Sequence, residues 1–155
     1  MKKTFEGRRV VAGSVRGEAV VSRQGFNILA SLQRDLMAKK DVVTCSDQNN
    51  PELFGKAISG RNLYLSKTIG STTGGMGLQA AAAIGKAPAA LLFSQPIDSL
   101  AAGGVILAKV WNNTDIITVD GLGEELLQAV EHGQVLTVDA HGTVSIETAG
   151  AGRNT

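Results

Sequence analysis

A glycine-rich turn that carries hydroxyl side chains is the segment of this chain best suited to chemistry. Residues 70–77, with the sequence GSTTGGMG, stand between a strand-like run and an Ala-rich helical run. Glycine lets the backbone approach a ligand closely, and the N–H groups of a first helical turn attract negative charge. Ser71 is the leading candidate for a reactive hydroxyl, because nearby N–H dipoles favour its ionised form. If the chain has an active site, we expect it here.

The same hydroxyls have a structural interpretation. Ser and Thr commonly cap the N-terminus of a helix, and the predicted helix begins directly after them. On the residues alone, capping by Ser71, Thr72 and Thr73 is the commoner outcome. Both interpretations can hold for different hydroxyls of the three.

No second catalytic group accompanies the turn in the sequence. His132 and His141 fall at a predicted helix end and in a hairpin turn, where histidines are usually exposed to solvent, so a Ser-His-Asp triad is not expected. The turn lacks the Gly-x-Ser-x-Gly spacing of a nucleophile elbow and the closing Lys-Ser or Lys-Thr of a P-loop. We therefore expect another chain to complete the site.

Other polar residues have ordinary interpretations. Cys45 is the only cysteine, which excludes an internal disulfide and a multi-thiolate metal site. We expect an inert or partly exposed loop thiol, with a metal ligand shared with another chain as the lesser alternative.

Asp98 and Asp120 are interpreted as helix N-caps. Four arginines are candidates for binding a carboxylate or phosphate, although such side chains are more often solvated: Arg16, Arg23, Arg34 and Arg61.

The composition indicates one soluble globular domain. The chain has 155 residues, of which 43% are hydrophobic and only 4% aromatic, so an aliphatic core is expected. A net charge of +1 gives no reason to expect a nucleic acid partner. No apolar run is long enough for a membrane span, and no secretory signal follows the first basic residues. We expect a cytoplasmic domain over residues 1–148 and a flexible tail over residues 149–155.

The elements around the turn predict an α/β fold. The first half of the chain is strand-rich and the second half alternates strand and helix, which favours a β/β/α domain with a mixed sheet or a barrel-like core. Strands are expected at residues 10–22 (two, around a turn), 26–32, 41–44, 62–66, 89–93, 105–108, 116–119, 134–138 and 143–146. Helices are expected at residues 78–84, 96–102 and 124–131.

Five short motifs in a fixed order carry a family resemblance. They lie at residues 10–22, 55–60, 70–74, 85–90 and 102–106. In this order they resemble the small subunit, or swivelling domain, of the aconitase X family, over about residues 8–120. No single motif is specific, and the resemblance depends on their order.

The resemblance implies a swivelling domain that caps a larger catalytic subunit in a heterodimer or higher assembly. That subunit would carry an iron–sulfur cluster on its own cysteines, and this chain alone would bind none. Members are hydro-lyases similar to cis-3-hydroxy-L-proline dehydratase or to mevalonate 5-phosphate dehydratase. The resemblance implies that Ser71 is the base, that Gly70, Thr72, Thr73 and Gly74 shape the substrate cradle, and that the substrate is a small hydroxy acid similar to cis-3-hydroxy-L-proline.

The chain departs from the family pattern at two places. In the wider aconitase superfamily an arginine follows two serines of this turn, and here Thr73 stands in its place. Members commonly carry an Ile-Ser-Phe-Trp-Gly-Gly segment that here corresponds to residues 26–31, within which Asn27 is the expected substrate-binding residue. The acidic, glycine-rich loop that usually follows is also replaced. A changed substrate or a loss of activity is implied if this segment contacts the substrate.

Two alternatives belong to other classes of protein. Residues 133–139 and 142–144 resemble the end of a phosphohistidine swivelling domain of the phosphoenolpyruvate-utilising kind. Such a carrier needs a histidine just after its Gly-Gly-Thr-Ser turn, and none follows Thr73 here. The second alternative is a non-catalytic interaction domain that regulates a partner.

Overall fold

A computed structural model describes residues 2–147 of the chain. The expected tail at residues 149–155 lies outside the described residues. The elements, in chain order, are β1 (Lys2–Glu6), β2 (Arg8–Val11), β3 (Val15–Ser22), β4 (Phe26–Asn27), α1 (Ile28–Met37), β5 (Asn62–Leu65), β6 (Thr68–Ile69), α2 (Gly74–Ala83), β7 (Ala90–Phe93), α3 (Ser99–Asn112), β8 (Ile117–Asp120), α4 (Glu124–Ala129), β9 (Val135–Val138) and β10 (Thr143–Glu147). Within this part of the chain no helix is long and apolar enough to cross a bilayer.

A mixed sheet of eight strands forms the centre of the fold, in the order β1-β10-β9-β3-β5-β7-β8-β2. Strands β3, β5, β7 and β8 pair in parallel, and the remaining pairings in this sheet are antiparallel. A short parallel pair, β4 with β6, lies beside the main sheet. The parallel strands end together at one edge, where ligands usually bind in open α/β sheets.

Two apolar clusters hold the sheet between layers. One joins α1, α2 and α3 to one face of the sheet, through residues such as Leu32, Leu78 and Val105. The other joins α4 and the β9–β10 hairpin to the opposite face, through residues such as Leu126 and Leu136. Every residue of β7 is buried, which explains its continuous apolar sequence. The expected α/β class with a mixed sheet is therefore confirmed.

Most of the predicted strands that flank the site are confirmed. Strands β5, β7 and β8 lie within one residue or two of their expected bounds, and β9 pairs with β10 as the closing hairpin. Two strands are confirmed in the region of residues 10–22, although β2 begins earlier, at Arg8. Strand β2 pairs with β8, and β3 pairs with β5 and β9, so the two strands do not pair with each other. Strand β1 was not expected, and it pairs with β10.

Two of the predicted strands are helical. Residues 26–32 form only the short β4 before α1 begins, because Asn27 caps that helix and Ile28 and Leu32 face the core one turn apart. The expected short helix at residues 96–102 and the expected strand at residues 105–108 are replaced by the single helix α3, which begins at Ser99 and includes residues 105–108. Residues 41–44 contribute only one bridge, between Thr44 and Ala57, instead of a strand.

The pair Gly103-Gly104 does not end α3, because one of these glycines serves packing. A methyl group placed on Gly104 would lie 3.0 Å from the carbonyl oxygen of Gly75, and one placed on Gly75 would lie 2.9 Å from that of Leu100. The two helix backbones therefore meet at Gly75 and Gly104. Helix α2 also begins earlier than expected, at Gly74.

Candidate functional site

The Ser71 turn lies between β6 and α2 and is open to solvent. Gly70 has a φ of 101°, a conformation that only glycine adopts without strain. Ser71, Thr72 and Thr73 are all exposed, whereas Gly74 is buried against Ile28. The predicted cradle residues are thus contiguous at the start of α2, with their hydroxyls available to another molecule.

Ser71 and Thr73 contact each other within this turn, and the expected side-chain cap of α2 is not formed. Oγ of Ser71 accepts the backbone N–H of Thr73 at 3.2 Å and lies 2.8 Å from Oγ1 of Thr73. Thr73 occupies the N-cap position of α2, but its side chain makes no capping bond. One N–H donor and one neighbouring hydroxyl thus face the oxygen of Ser71, and both stabilise negative charge on it.

Asn27 lies beside the turn. Strands β4 and β6 pair so that Asn27 is opposite Ile69. Its Oδ1 accepts the N–H of Ala30 at 3.1 Å and caps α1. A methyl group placed on Gly70 would lie 2.7 Å from Nδ2 of Asn27. The N-termini of α1 and α2 therefore converge on Gly70.

Strand β6 also contacts the N-terminus of a third helix. Asp98 caps α3 through the N–H of Ala101 at 3.0 Å, as predicted. The same carboxylate accepts the backbone N–H of Thr68 at 2.7 Å and the hydroxyl of Thr68. The sequence identified the cap but not the contact with Thr68, because 30 residues separate the two. No local pattern signals such a contact.

The candidate arginines are engaged by acidic side chains. Their partners are Glu147 for Arg16, Glu52 for Arg23, Asp35 for Arg34 and Glu18 for Arg61. Within residues 2–147, no arginine or lysine side chain makes a hydrogen bond to residues 70–77. The structure therefore does not bring these cations to the hydroxyls of the turn.

The expectation for Asp120 is wrong, because its carboxylate does not cap a helix. It pairs with Arg8 at 2.6 and 2.9 Å and accepts the N–H of Ile97 at 2.7 Å. Burial pushes the pKa of Asp120 upward, but the hydrogen bonds from Arg8 and Ile97 outweigh it, and the net pKa is lowered. The carboxylate is a fixed structural anion.

The two histidines differ in their surroundings. His141 is exposed in the β9–β10 turn, as expected. His132 is half-buried, contrary to expectation, and its Nδ1 accepts the backbone N–H of Val21 at 3.2 Å. Its Nε2 is buried, and burial lowers its pKa. Neither nitrogen of His132 is placed to accept a phosphoryl group.

Cys45 is fully buried, contrary to the expected loop thiol, and packs in the core beneath α1. A shared metal ligand is incompatible with that position. Among residues 2–147 no three side chains of His, Cys, Asp or Glu are grouped as a metal site. The described residues therefore do not fit an iron–sulfur cluster held by this chain.

Comparison with known proteins agrees with the family resemblance. A phosphomevalonate dehydratase small subunit from Thermococcus kodakarensis is 28% identical over 136 residues, covering 88% of this chain and 90% of the relative. A protein of the same name from Thermococcus onnurineus is 28% identical over 144 residues, covering 92% and 98%.

Solved structures match over nearly the whole chain. The crystal structure of Thermococcus kodakaraensis aconitase X in its holo form has a TM-score of 0.78 at 26% identity, covering 94% of this chain and 99% of that chain. A solution NMR structure of a UPF0107 protein shares the fold, with a TM-score of 0.74 at 24% identity, covering 94% of this chain and 100% of that chain.

The sequence profile of the aconitase X swivel domain matches residues 4–146. Together with the relatives, this match confirms the expected family and the expected class of enzyme, a hydro-lyase subunit. The chain belongs to the aconitase X swivel domain family.

Proposed function

We propose that this chain is the small subunit of an aconitase-X-type dehydratase and that Ser71 removes the proton α to the substrate carboxylate. The observation that carries the proposal is the exposed oxygen of Ser71, which accepts the N–H of Thr73 at the start of α2. The family membership supports the reaction class. Water is lost from a 3-hydroxy acid when the C2–H and C3–O bonds break and a C2=C3 double bond forms.

In this proposal, Ser71 reacts in its ionised form. The N–H of Thr73 donates to Oγ of Ser71 before and after ionisation, so the turn needs no rearrangement when charge develops. The hydroxyl of Thr73, 2.8 Å away, donates a second hydrogen bond to the alkoxide. The electron pair of the C2–H bond becomes the new π bond, and the proton passes to Oγ of Ser71. The electron pair of the C3–O bond leaves with the hydroxyl group, which takes up a proton and departs as water, so that Ser71 returns to its ionised form.

The substrate that we propose first is mevalonate 5-phosphate, ahead of cis-3-hydroxy-L-proline. The relatives from two Thermococcus species are named for phosphomevalonate, and each is matched over most of its length. Both compounds contain the same 3-hydroxy acid unit, so the role of Ser71 is the same for either. The groups that bind carboxylate and phosphate are assigned to the partner, because the four candidate arginines are each paired with an acidic side chain of this chain.

We propose a large subunit as the partner, and we assign the iron–sulfur cluster to it. A cluster of that kind supplies a Lewis acid for the departing hydroxyl. The outer faces of α2 and α3 are a candidate surface for binding this partner. Helix α2 contains no charged residue, and Lys109 is the single charged residue of α3. Val110 is 71% exposed and Trp111 63% exposed on that face, and Met76 extends it to the first turn of α2. A cytoplasmic location is part of the proposal.

Co-expression with a cysteine-rich large subunit tests the function. The purified complex should dehydrate mevalonate 5-phosphate, and neither subunit alone should do so. The isolated small subunit should contain no iron. Turnover of cis-3-hydroxy-L-proline by the complex, without turnover of mevalonate 5-phosphate, would overturn the substrate assignment. Full turnover by the large subunit alone would overturn the shared active site.

A further inference from the structure

We propose that Asp98 is a positioning residue for Ser71 and that helix α3 is the support on which the Ser71 turn is held. Asp98 does not contact the hydroxyls of the turn. It acts through Thr68, in the strand that leads to Gly70 and Ser71. The inference rests on the proposed function of Ser71, and one arm of its test does not depend on activity.

The first attachment of the turn to α3 lies upstream of Ser71. The carboxylate of Asp98 accepts two hydrogen bonds from Thr68, one from its backbone N–H and one from its hydroxyl. Thr68 is only 5% exposed, so its hydroxyl is satisfied by this carboxylate and not by solvent. Capping α3 requires only the separate bond to the N–H of Ala101. The two bonds to Thr68 are therefore additional to capping.

The second attachment lies downstream of Ser71. The backbones of α2 and α3 meet at Gly75 and Gly104, where a methyl group on either residue would lie about 3 Å from the opposite backbone. Residues 69–74 therefore span two fixed points on the same helix. Ser71 lies between those points, and Asn27 supports Gly70 from the side of α1.

A base that must meet a proton on a substrate held by another chain needs this kind of rigidity. A displacement of about 1 Å at a reacting group can cost about 100-fold in rate. Loosening Thr68 should therefore slow the chemical step and leave substrate binding nearly unchanged. A merely structural role for Asp98 would instead lower the stability of the whole domain and would not single out the turn.

Two variants separate these roles. Thr68→Val keeps the shape of the side chain and the backbone N–H but removes the hydroxyl donor. Asp98→Asn keeps a side-chain oxygen that caps α3 about as well as aspartate does. A matched control is Asp139→Asn, because Asp139 also accepts two backbone N–H groups, in the β9–β10 turn. That turn adjoins the start of β3, whereas Ser71 lies near the ends of the parallel strands.

In the complex, both test variants should lower kcat by about 10- to 100-fold with KM changed less than about threefold. Amide hydrogen exchange of the small subunit should accelerate at residues 68–74 in both, and it should be unchanged there in Asp139→Asn. Unchanged exchange and unchanged kcat would overturn the positioning role. Uniform acceleration across the domain would also overturn it. If the wild-type complex has no dehydratase activity, the exchange data still decide whether Asp98 holds the turn.

Discussion

Gly70 and Asn27 occupy adjoining space so closely that a methyl group on Gly70 would overlap the amide of Asn27. Its distances to Nδ2, Cγ and Oδ1 would be between 2.7 and 2.8 Å. Since Asn27 also caps α1, the glycine connects the Ser71 turn to the first helix of the domain. The turn therefore requires glycine at position 70 for two reasons. The φ of Gly70 is 101°, and the space that a side chain would need is filled by Asn27.

The first prediction concerns this contact. Gly70→Ala should lower the free energy of unfolding by about 2–4 kcal/mol, because it adds a clash to the strain of a positive φ. Gly85→Ala is the matched control, since Gly85 has a φ of 72° but open space around it. The control should cost about 1–2 kcal/mol from strain alone. Urea denaturation measures both, and equal costs would show that Asn27 does not confine Gly70.

The second prediction separates two neighbouring glycines of α3. Gly104→Ala should destabilise the domain by about 1–3 kcal/mol, because its methyl group would meet the backbone of Gly75 and the side chain of Leu78. Gly103→Ala should stabilise it by about 0.5–1 kcal/mol, because nothing lies within 4 Å of the new methyl group and alanine favours the helix. Thermal unfolding distinguishes the signs. A stabilising Gly104→Ala would mean that α2 and α3 do not touch there.

The third prediction concerns the response to pH. The pKa of His132 is lowered from 6.5 mainly by burial, and Nδ1 must be unprotonated to accept the N–H of Val21. Below pH 6.5 the unfolded state therefore binds a proton that the folded state does not, and stability falls as the pH falls. The decrease in the free energy of unfolding between pH 7 and pH 5 should therefore be smaller in His132→Gln than in the wild-type protein.

Urea denaturation at both pH values measures that difference, and an NMR titration of His132 measures its pKa directly. Lys56, Glu52 and Arg23 contribute to the local field, with Glu52 opposing the two cations. A titration midpoint of His132 above 6.5 would contradict the assignment of a neutral acceptor.

The sequence predicted the elements whose pattern is local. The run from Ala90 to Phe93 is continuous and apolar, as expected of a strand covered on both faces. The spacing of Ile28 and Leu32 after Asn27 also carried a helical signal, although the apolar character of the segment suggested a strand. The capping asparagine before this spacing is the local signal of α1.

Other features depend on partners that are distant in the chain. Gly103 and Gly104 suggest a helix end, and only the presence of α2 shows that one of them permits close packing. The strand at Lys2–Glu6 shows little apolar alternation and is defined by its pairing with β10. The contact between Thr68 and Asp98 is likewise long-range. The glycines and hydroxyls of the candidate site form a local sequence pattern, whereas the contacts that hold the site join residues distant in the chain.

The central claim is that Ser71 is the base of an active site shared with a large subunit. The most direct test is to measure kcat of the Ser71→Ala complex with mevalonate 5-phosphate. The matched control is the Ser14→Ala complex, because Ser14 is an exposed serine between β2 and β3. We predict that Ser71→Ala lowers kcat by about 100- to 10,000-fold, the usual contribution of a general base, while the complex still assembles and Ser14→Ala remains active. A Ser71→Ala complex that turns over at the wild-type rate would contradict the account.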